Sequence, residues 1–383
     1  MKRTFPKHIF QRTVNLKKEF FGSCPPAIFV GTWNYPKVFT GFLSPTDSFK
    51  EARVLDNPEL WYREGLELQQ ILSLRQQMVY SRFTTNIKKP DSRLNQTQQE
   101  LIQSIKPCDI EIKLKKEPKL RVSYSRYAAP IGSPGQIESA RLGENPKIPK
   151  KIDRVVSDTD LKSVGGMQQL YRDKIPITHI QKILSAGLLG LKQNRKFVPT
   201  RWSITATDDA ISKNLLGKIR YYPEISEFQL FSNTYLGNFY QILLIPRYWS
   251  YQLIEIANPG SVFAKYWIDW ESFTPRKTYA SNCAGGYYAA RLGICEYLQK
   301  INRQATVFVL RETDPSYNAP LGVWVPRETV RGAFNKKPEK FTSLKQAFQT
   351  MRSRVKTNWN NITAKSELLT EMRQQTRLKD FIN

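Results

Sequence analysis

Four clusters of residues have types and spacings suited to chemistry. Arg195 and Lys196 precede Pro199-Thr200-Arg201-Trp202. Arginine and lysine clamp phosphate oxygens, and an indole offers a face on which a base stacks. The plainer alternative is a tryptophan in the core. Asp208 and Asp209 follow closely. Two such carboxylates can hold a divalent cation, but acids in a first turn more simply answer the positive end of a helix dipole. Gly285-Gly286-Tyr287 opens an expected helix, where bare N–H groups can meet a phosphate. Its spacing matches neither GxGxxG nor GxxxxGKS/T, and glycine turns that only pack a helix look the same. Last, Gln375, Leu378 and Phe381 recur at threes, with Ile382 beside them. A 3₁₀ turn puts residues three apart on one side, so Leu378 and Phe381 make one apolar plug with Gln375 at its rim.

Counts narrow the chemistry further. His8 and His179 are the two histidines, so a multi-histidine metal centre is excluded. Neither takes a catalytic place, and His179 in ITHIQKIL reads as a packed or capping helical residue. Cys24, Cys108, Cys283 and Cys295 form no CxxC pair, which speaks against a zinc ribbon and for reduced thiols. No ATP-binding loop, zinc finger or RNA-recognition signature is present. No metal site and no cofactor are expected. The chain has 383 residues with 59 Lys+Arg against 33 Asp+Glu, a net charge of +26. Residues 1–20 hold six Lys/Arg against one acid, and residues 331–383 hold twelve against four. Such a field attracts polyanions, and nucleic acid is the natural partner. No run of apolar residues reaches membrane length, and residues 1–20 lack an apolar signal core. A cytoplasmic protein without a membrane partner is expected.

These clusters need elements to hold them. Ile28-Phe29-Val30 reads as a short buried strand, followed by turns at Gly31 and Asn34-Tyr35-Pro36. Residues 59–79 have helical period, IEIKLKKEPKLRV alternates like a strand, and SPGQIESARLGENPKIPKKIDR reads as loop with short elements. Residues 164–190 suggest two short helices, the second ending at a glycine. Phe197 to Ile204 has strand character, and Thr207 then caps a helix with Asp208 and Asp209 in its first turn. Two strands flank Leu236-Gly237-Asn238, and YQILLIP suggests burial on both faces. CAGGYYAARLGICEYL opens a helix, ATVFVLRET and LGVWVPRET read as strands, and FTSLKQAFQTMRSRV as a helix. Residues 356–383 read as a polar, basic tail. The irregular alternation favours a mixed α/β or α+β fold.

The QTRLKDFI spacing resembles the PCNA-interacting peptide that docks on DNA sliding clamps, with Ile382 in place of the usual last aromatic residue. Its pocketed anchor would be Leu378 and Phe381. Several longer blocks speak together: CPPAIFVGTWNYPKVFTGFL, ENPKIPKKIDRVVSD, IQKILSAGLLGLKQNRKFVPTRWSITATDDAI, CAGGYYAARLGICEYL and LGVWVPRETVR. They resemble the archaeal Nre family in order along nearly the whole chain, RKFVPTRWSITATDD being the most specific. The resemblance implies an N-terminal Nre-like region over 15–262, a smaller C-terminal one over 263–345, and a basic, partly flexible tail over 346–383 bearing the clamp motif. It implies a role in repair of DNA damage and PCNA docking through Gln375, Leu378, Phe381 and Ile382, with DNA and other repair proteins as further partners. The Cys-rich, zinc-finger-like N-terminal segment of many members is missing, since only Cys24 stands there. The resemblance supplies no catalytic set. A non-enzymatic factor is therefore favoured, and the rival is an enzyme acting on DNA or a nucleotide through Arg195, Arg201, Trp202 and Gly285-Gly286-Tyr287. An RNA-binding translation factor fits the charge but not the clamp-like motif.

Overall fold

The computed structural model describes residues 6–12, 14–88, 92–261 and 263–374. The chain divides into two compact units. The first holds the residues up to Ile211 together with Ala319–Trp324, and the second holds Ser212–Asn318 and the residues from Val325 onward.

In the first unit, β1 (Glu19–Cys24), β2 (Ile28–Val30) and β3 (Lys37–Pro45) lead to α1 (Pro58–Glu64), α2 (Leu68–Gln76) and β4 (Met78–Asn86). Then come α3 (Arg93–Gln103), β5 (Cys108–Leu114), β6 (Pro134–Leu142), α4 (Lys150–Ser157), α5 (Ser163–Arg172), α6 (Ile177–Ser185) and α7 (Thr200–Ile219, as far as Ile211). The six strands lie in the order β1-β5-β6-β4-β3-β2, antiparallel except for β4 beside β6. Side chains alternate across a strand, so Ile110, Ile112 and Leu114 of β5 enter one core with Phe42, Phe83 and Leu101. Gln98 of α3 reaches that interior, yet its amide donates to Gly41 O at 2.7 Å and accepts from Thr40 at 3.0 Å. Buried amides persist when both ends are bonded in this way.

The second unit adds β7 (Phe228–Tyr235), β8 (Asn238–Ile245), β9 (Ser250–Ala257), β10 (Lys265–Glu271), α8 (Gly285–Ile301), β11 (Thr306–Thr313), α9 (Trp324–Ala333, from Val325), β12 (Glu339–Phe341), α10 (Leu344–Ser353), α11 (Trp359–Ala364) and α12 (Glu367–Gln374). Its sheet runs β10-β9-β11-β8-β7-β12, with β9 and β11 parallel. Alternate residues of β8, β9 and β11 sort onto two faces. Ile242, Leu244, Leu253, Val307 and Val309 meet α8 and α9. Leu243, Ile254, Phe308 and Leu310 meet α10, α11 and α12. A sheet covered on both faces explains the unbroken apolar run of YQILLIP.

The result is α+β, as expected from the sequence, and several elements differ from the expectation. Phe197 to Ile204 is not a strand. Helix α7 begins at Thr200, and Thr207 is inside it rather than at its cap. The β-branched and hydroxyl residues there fit a helix because Ser203, Thr205 and Thr207 donate to carbonyls three or four residues back. LGVWVPRET is not a strand either. Pro326 sits in the first turn of α9, where its missing N–H costs nothing. Strand character in IEIKLKKEPKLRV ends at Leu114, and β6 and α4 occupy much of the expected loop after it. The expected basic tail is helical through Gln374, with Ile362, Leu368 and Leu369 in the core. All four thiols are buried and unpaired. Among the described residues no helix is long and apolar enough to cross a membrane.

Candidate nucleic-acid interface

The start of α7 is pinned from three directions in the first unit. Helix α6 ends at Gly187 with φ +72°, and a Cβ there would lie 2.7 Å from the Lys196 carbonyl, so only glycine lets the chain return this closely. Ser185 Oγ then donates to Val198 O at 2.7 Å, and Phe197 N to Ile87 O at 3.1 Å. Val30 N donates to Thr200 Oγ1 at 2.8 Å, which ties the end of β2 to the helix. Thr200 is thus fixed, and Arg201 and Trp202 project from the first turn, both exposed.

Each of these two side chains meets an aromatic ring. Trp202 packs on Tyr35 with centroids 5.5 Å apart. Arg201 lies over Tyr127 at 4.7 Å, with Nη2 3.4 Å from the phenol oxygen. Tyr35 belongs to the turn between β2 and β3, where Asn34 takes φ +61° and Pro36 O accepts from Ile87 N at 3.1 Å. Trp33 stands in the same turn and is 84% exposed, against 45% for Tyr35 and 44% for Trp202. Tyr127 lies within the loop that joins β5 to β6. That loop carries Lys115, Lys116, Lys119, Arg121 and Arg126 against Glu117, all exposed. Val323 N anchors it by donating to Tyr127 O at 2.9 Å. The arrangement is a rigid base bearing open rings and cations, suited to phosphate oxygens and base faces.

The other candidates fall elsewhere. Lys196 is exposed. Arg195 is spent on structure, donating to Gly190 O, Val156 O and Asp158 O at 2.8–2.9 Å. Burial lowers its pKa, while Asp158 opposes that fall. Arg195→Met should cost roughly 2 kcal/mol of stability, the scale for charged hydrogen bonds. Thermal unfolding checks this, and an unchanged melting temperature would defeat the structural role. Asp208 is buried and accepts from Gln181 at 3.2 Å. Among the described residues no three His, Cys, Asp or Glu side chains gather around a metal-sized space. His179 is packed inside the first unit.

Gly285, Gly286 and Tyr287 belong to the second unit and are buried. A Cβ on Gly286 would lie 2.6 Å from Glu255 Oε1, so an anion at this turn would meet a carboxylate. Tyr287 lies beside the Arg291 guanidinium, 5.5 Å from its ring centre. Gln375, Leu378, Phe381 and Ile382 lie outside the described residues. Reading residues in sequence missed Trp33, Tyr35 and Tyr127. The available signal was aromatic side chains in turns and loops rich in lysine, where no core calls for them.

Two family models match the chain. Archaeal Nre, N-terminal covers residues 4–264, and Archaeal Nre, C-terminal covers 271–381. The chain is 36% identical over 370 residues to DNA repair protein NreA of Archaeoglobus fulgidus, spanning 95% of this chain and 92% of the relative. It is 36% identical over 337 residues to DNA repair protein NreA of Haloferax volcanii, spanning 85% and 80%. DNA repair protein NreB of Archaeoglobus fulgidus is 34% identical over 376 residues, spanning 95% and 92%. No solved structure matches the chain. Two family models in tandem and relatives aligned over nearly their whole length lead to one conclusion: the chain belongs to the archaeal Nre family.

Proposed function

We propose that this protein is a DNA repair factor that meets DNA through the face around Arg201 and Trp202 and is recruited by the PCNA sliding clamp. The observation that carries the reading is the open aromatic and basic face at the start of α7, within a chain of net charge +26. Phosphate neutralisation by such a face is largely indifferent to sequence and weakens steeply with salt. The names of the relatives, DNA repair proteins, support the same role. Clamp recruitment rests on Gln375, Leu378, Phe381 and Ile382, whose spacing suits an apolar plug with a polar rim. Two contacts on one chain raise the local concentration of the basic body on clamp-loaded DNA.

The test titrates the sliding clamp with the full chain and with a version ending at Gln374, with and without primed DNA. The cut spares α12 and its buried Leu368 and Leu369. The shortened chain should lose clamp binding and keep salt-dependent DNA binding. Clamp binding that survives the cut, or survives Leu378→Ala with Phe381→Ala, overturns the recruitment half. Absence of DNA binding at low salt overturns the other half.

A further inference from the structure

Which form of DNA would this face take? Trp33, Tyr35 and Trp202 are large rings with open surface, and an exposed indole at 84% has no role in the core. An intact duplex hides base faces in its own stack, so such rings gain little from it. Unpaired bases leave their faces free, and any base stacks on an aromatic ring. We infer that the face built by Trp33, Tyr35 and Trp202 is a stacking platform for single-stranded DNA, with the loop after β5 tracking the phosphates. The inference rests on the DNA-binding reading above and names its substrate class.

Geometry and charge both favour this occupant. Arg201 and Trp202 are neighbours in the first turn of α7, so the Tyr127 contact and the Tyr35 contact are joined by one short piece of backbone. The loop that carries Tyr127 holds five cations against one acid, which suits a polyanion. The rings are also held ready. Gly31 N donates to Phe39 O at 2.8 Å, and Pro36 O accepts from Ile87 N, so the turn that carries Trp33 and Tyr35 is closed at both ends. Prior ordering spares the strand part of the entropy of binding.

The experiment uses the full chain and measures fluorescence anisotropy on a labelled oligodeoxythymidine of about 16 nucleotides, the upper site size for such grooves, and on a duplex of equal length. The variants are Trp33→Ala, Trp202→Ala, the pair together, and Trp33→Phe, each checked by thermal unfolding. The wild type should prefer the single strand, and each alanine should weaken single-strand affinity about tenfold or more, from the usual worth of one stacked base. Duplex affinity should fall by a clearly smaller factor, since paired bases hide the faces these rings take, and Trp33→Phe should restore most of the loss. Salt-dependent duplex binding with no preference for the single strand overturns the platform and leaves the DNA reading standing. Single-strand affinity untouched by the paired alanines does the same. Tighter binding to an oligouridine than to the deoxy strand overturns DNA as the occupant. Failure to bind any strand overturns both readings together.

Discussion

Replacing Arg291 with methionine lowers the stability of the second unit by about 3–5 kcal/mol, the usual cost of leaving one member of a buried ion pair alone. Arg291 and Glu271 are each 1% exposed at their side chains, with Nη1 2.9 Å from Oε2. Arg291 Nε also donates to Ser212 Oγ at 3.1 Å, and Trp249 Nε1 donates to Glu271 Oε1 at 3.2 Å. The guanidinium lies between Tyr287 and Tyr288, 5.5 and 5.3 Å from their ring centres. Methionine fills much of the volume but takes away the carboxylate's hydrogen-bonded counter-charge, leaving only the longer-range attraction of Arg220. Urea unfolding followed by tryptophan fluorescence reads the effect directly, since Trp249 sits on the pair. Changing Glu271→Gln in the same chain removes the orphaned charge and should recover most of the loss. A cost below about 1 kcal/mol for the single change would show that the pair lacks the desolvated environment its burial implies.

This core pair also explains why part of the sequence misled. GGYYAAR has the residue types of a phosphate site, and its glycines, tyrosines and arginine were legible as a unit. Their partners were not, because Glu271 and Glu255 come from β10 and β9, which only the sheet brings beside α8. Arg195 and Arg201 look alike in the sequence. The carbonyls of Gly190, Val156 and Asp158 make one structural, and the ring of Tyr127 makes the other a surface cation.

Elements whose period matched their burial were readable. Strands β7 and β8 around Leu236-Gly237, helices α5 and α6, α8, β11 and α10 all lie where apolar spacing put them. The later turns of helix α7 were readable too, but its start was not, because Val198, Thr200, Ile204 and Thr205 favour strand by propensity, a weak prior that packing overrides. Helices α11 and α12 hid in a polar composition, with Ile362, Leu368 and Leu369 sufficing to anchor them. The candidate face shows the same division. Trp202 and Arg201 were singled out by type, but Tyr35 lies more than 160 residues earlier and Tyr127 more than 70, so their meeting is a product of the fold alone.

Acid should weaken the first unit through His179 well before its carboxylates protonate. His179 is buried on α6, and Nε2 has no hydrogen-bond partner. Burial, aided by Lys182 and opposed by Asp56, pushes its pKa down to about 3 from 6.5. The unfolded chain therefore takes up a proton as pH falls below 6.5, while the folded chain stays neutral until about pH 3. Proton uptake by the unfolded form alone drains stability as pH drops, by about 2 kcal/mol between pH 7 and pH 5. Asp56 acts lower on the scale. Burial works to raise its pKa, but Lys182 and Arg75 hold it below 3.8, so its share of the stability is lost only beneath that value. His179→Leu keeps the apolar packing and removes the titrating group. The variant should match or exceed the wild type at pH 7 and lose most of the fall by pH 5. Urea midpoints at the two pH values for both proteins decide the matter. An equal fall in the variant would place the acid sensitivity elsewhere. A flat profile in the wild type would mean that the imidazole meets water, contrary to its burial, and would move it toward the chemistry that two histidines in the whole chain leave open.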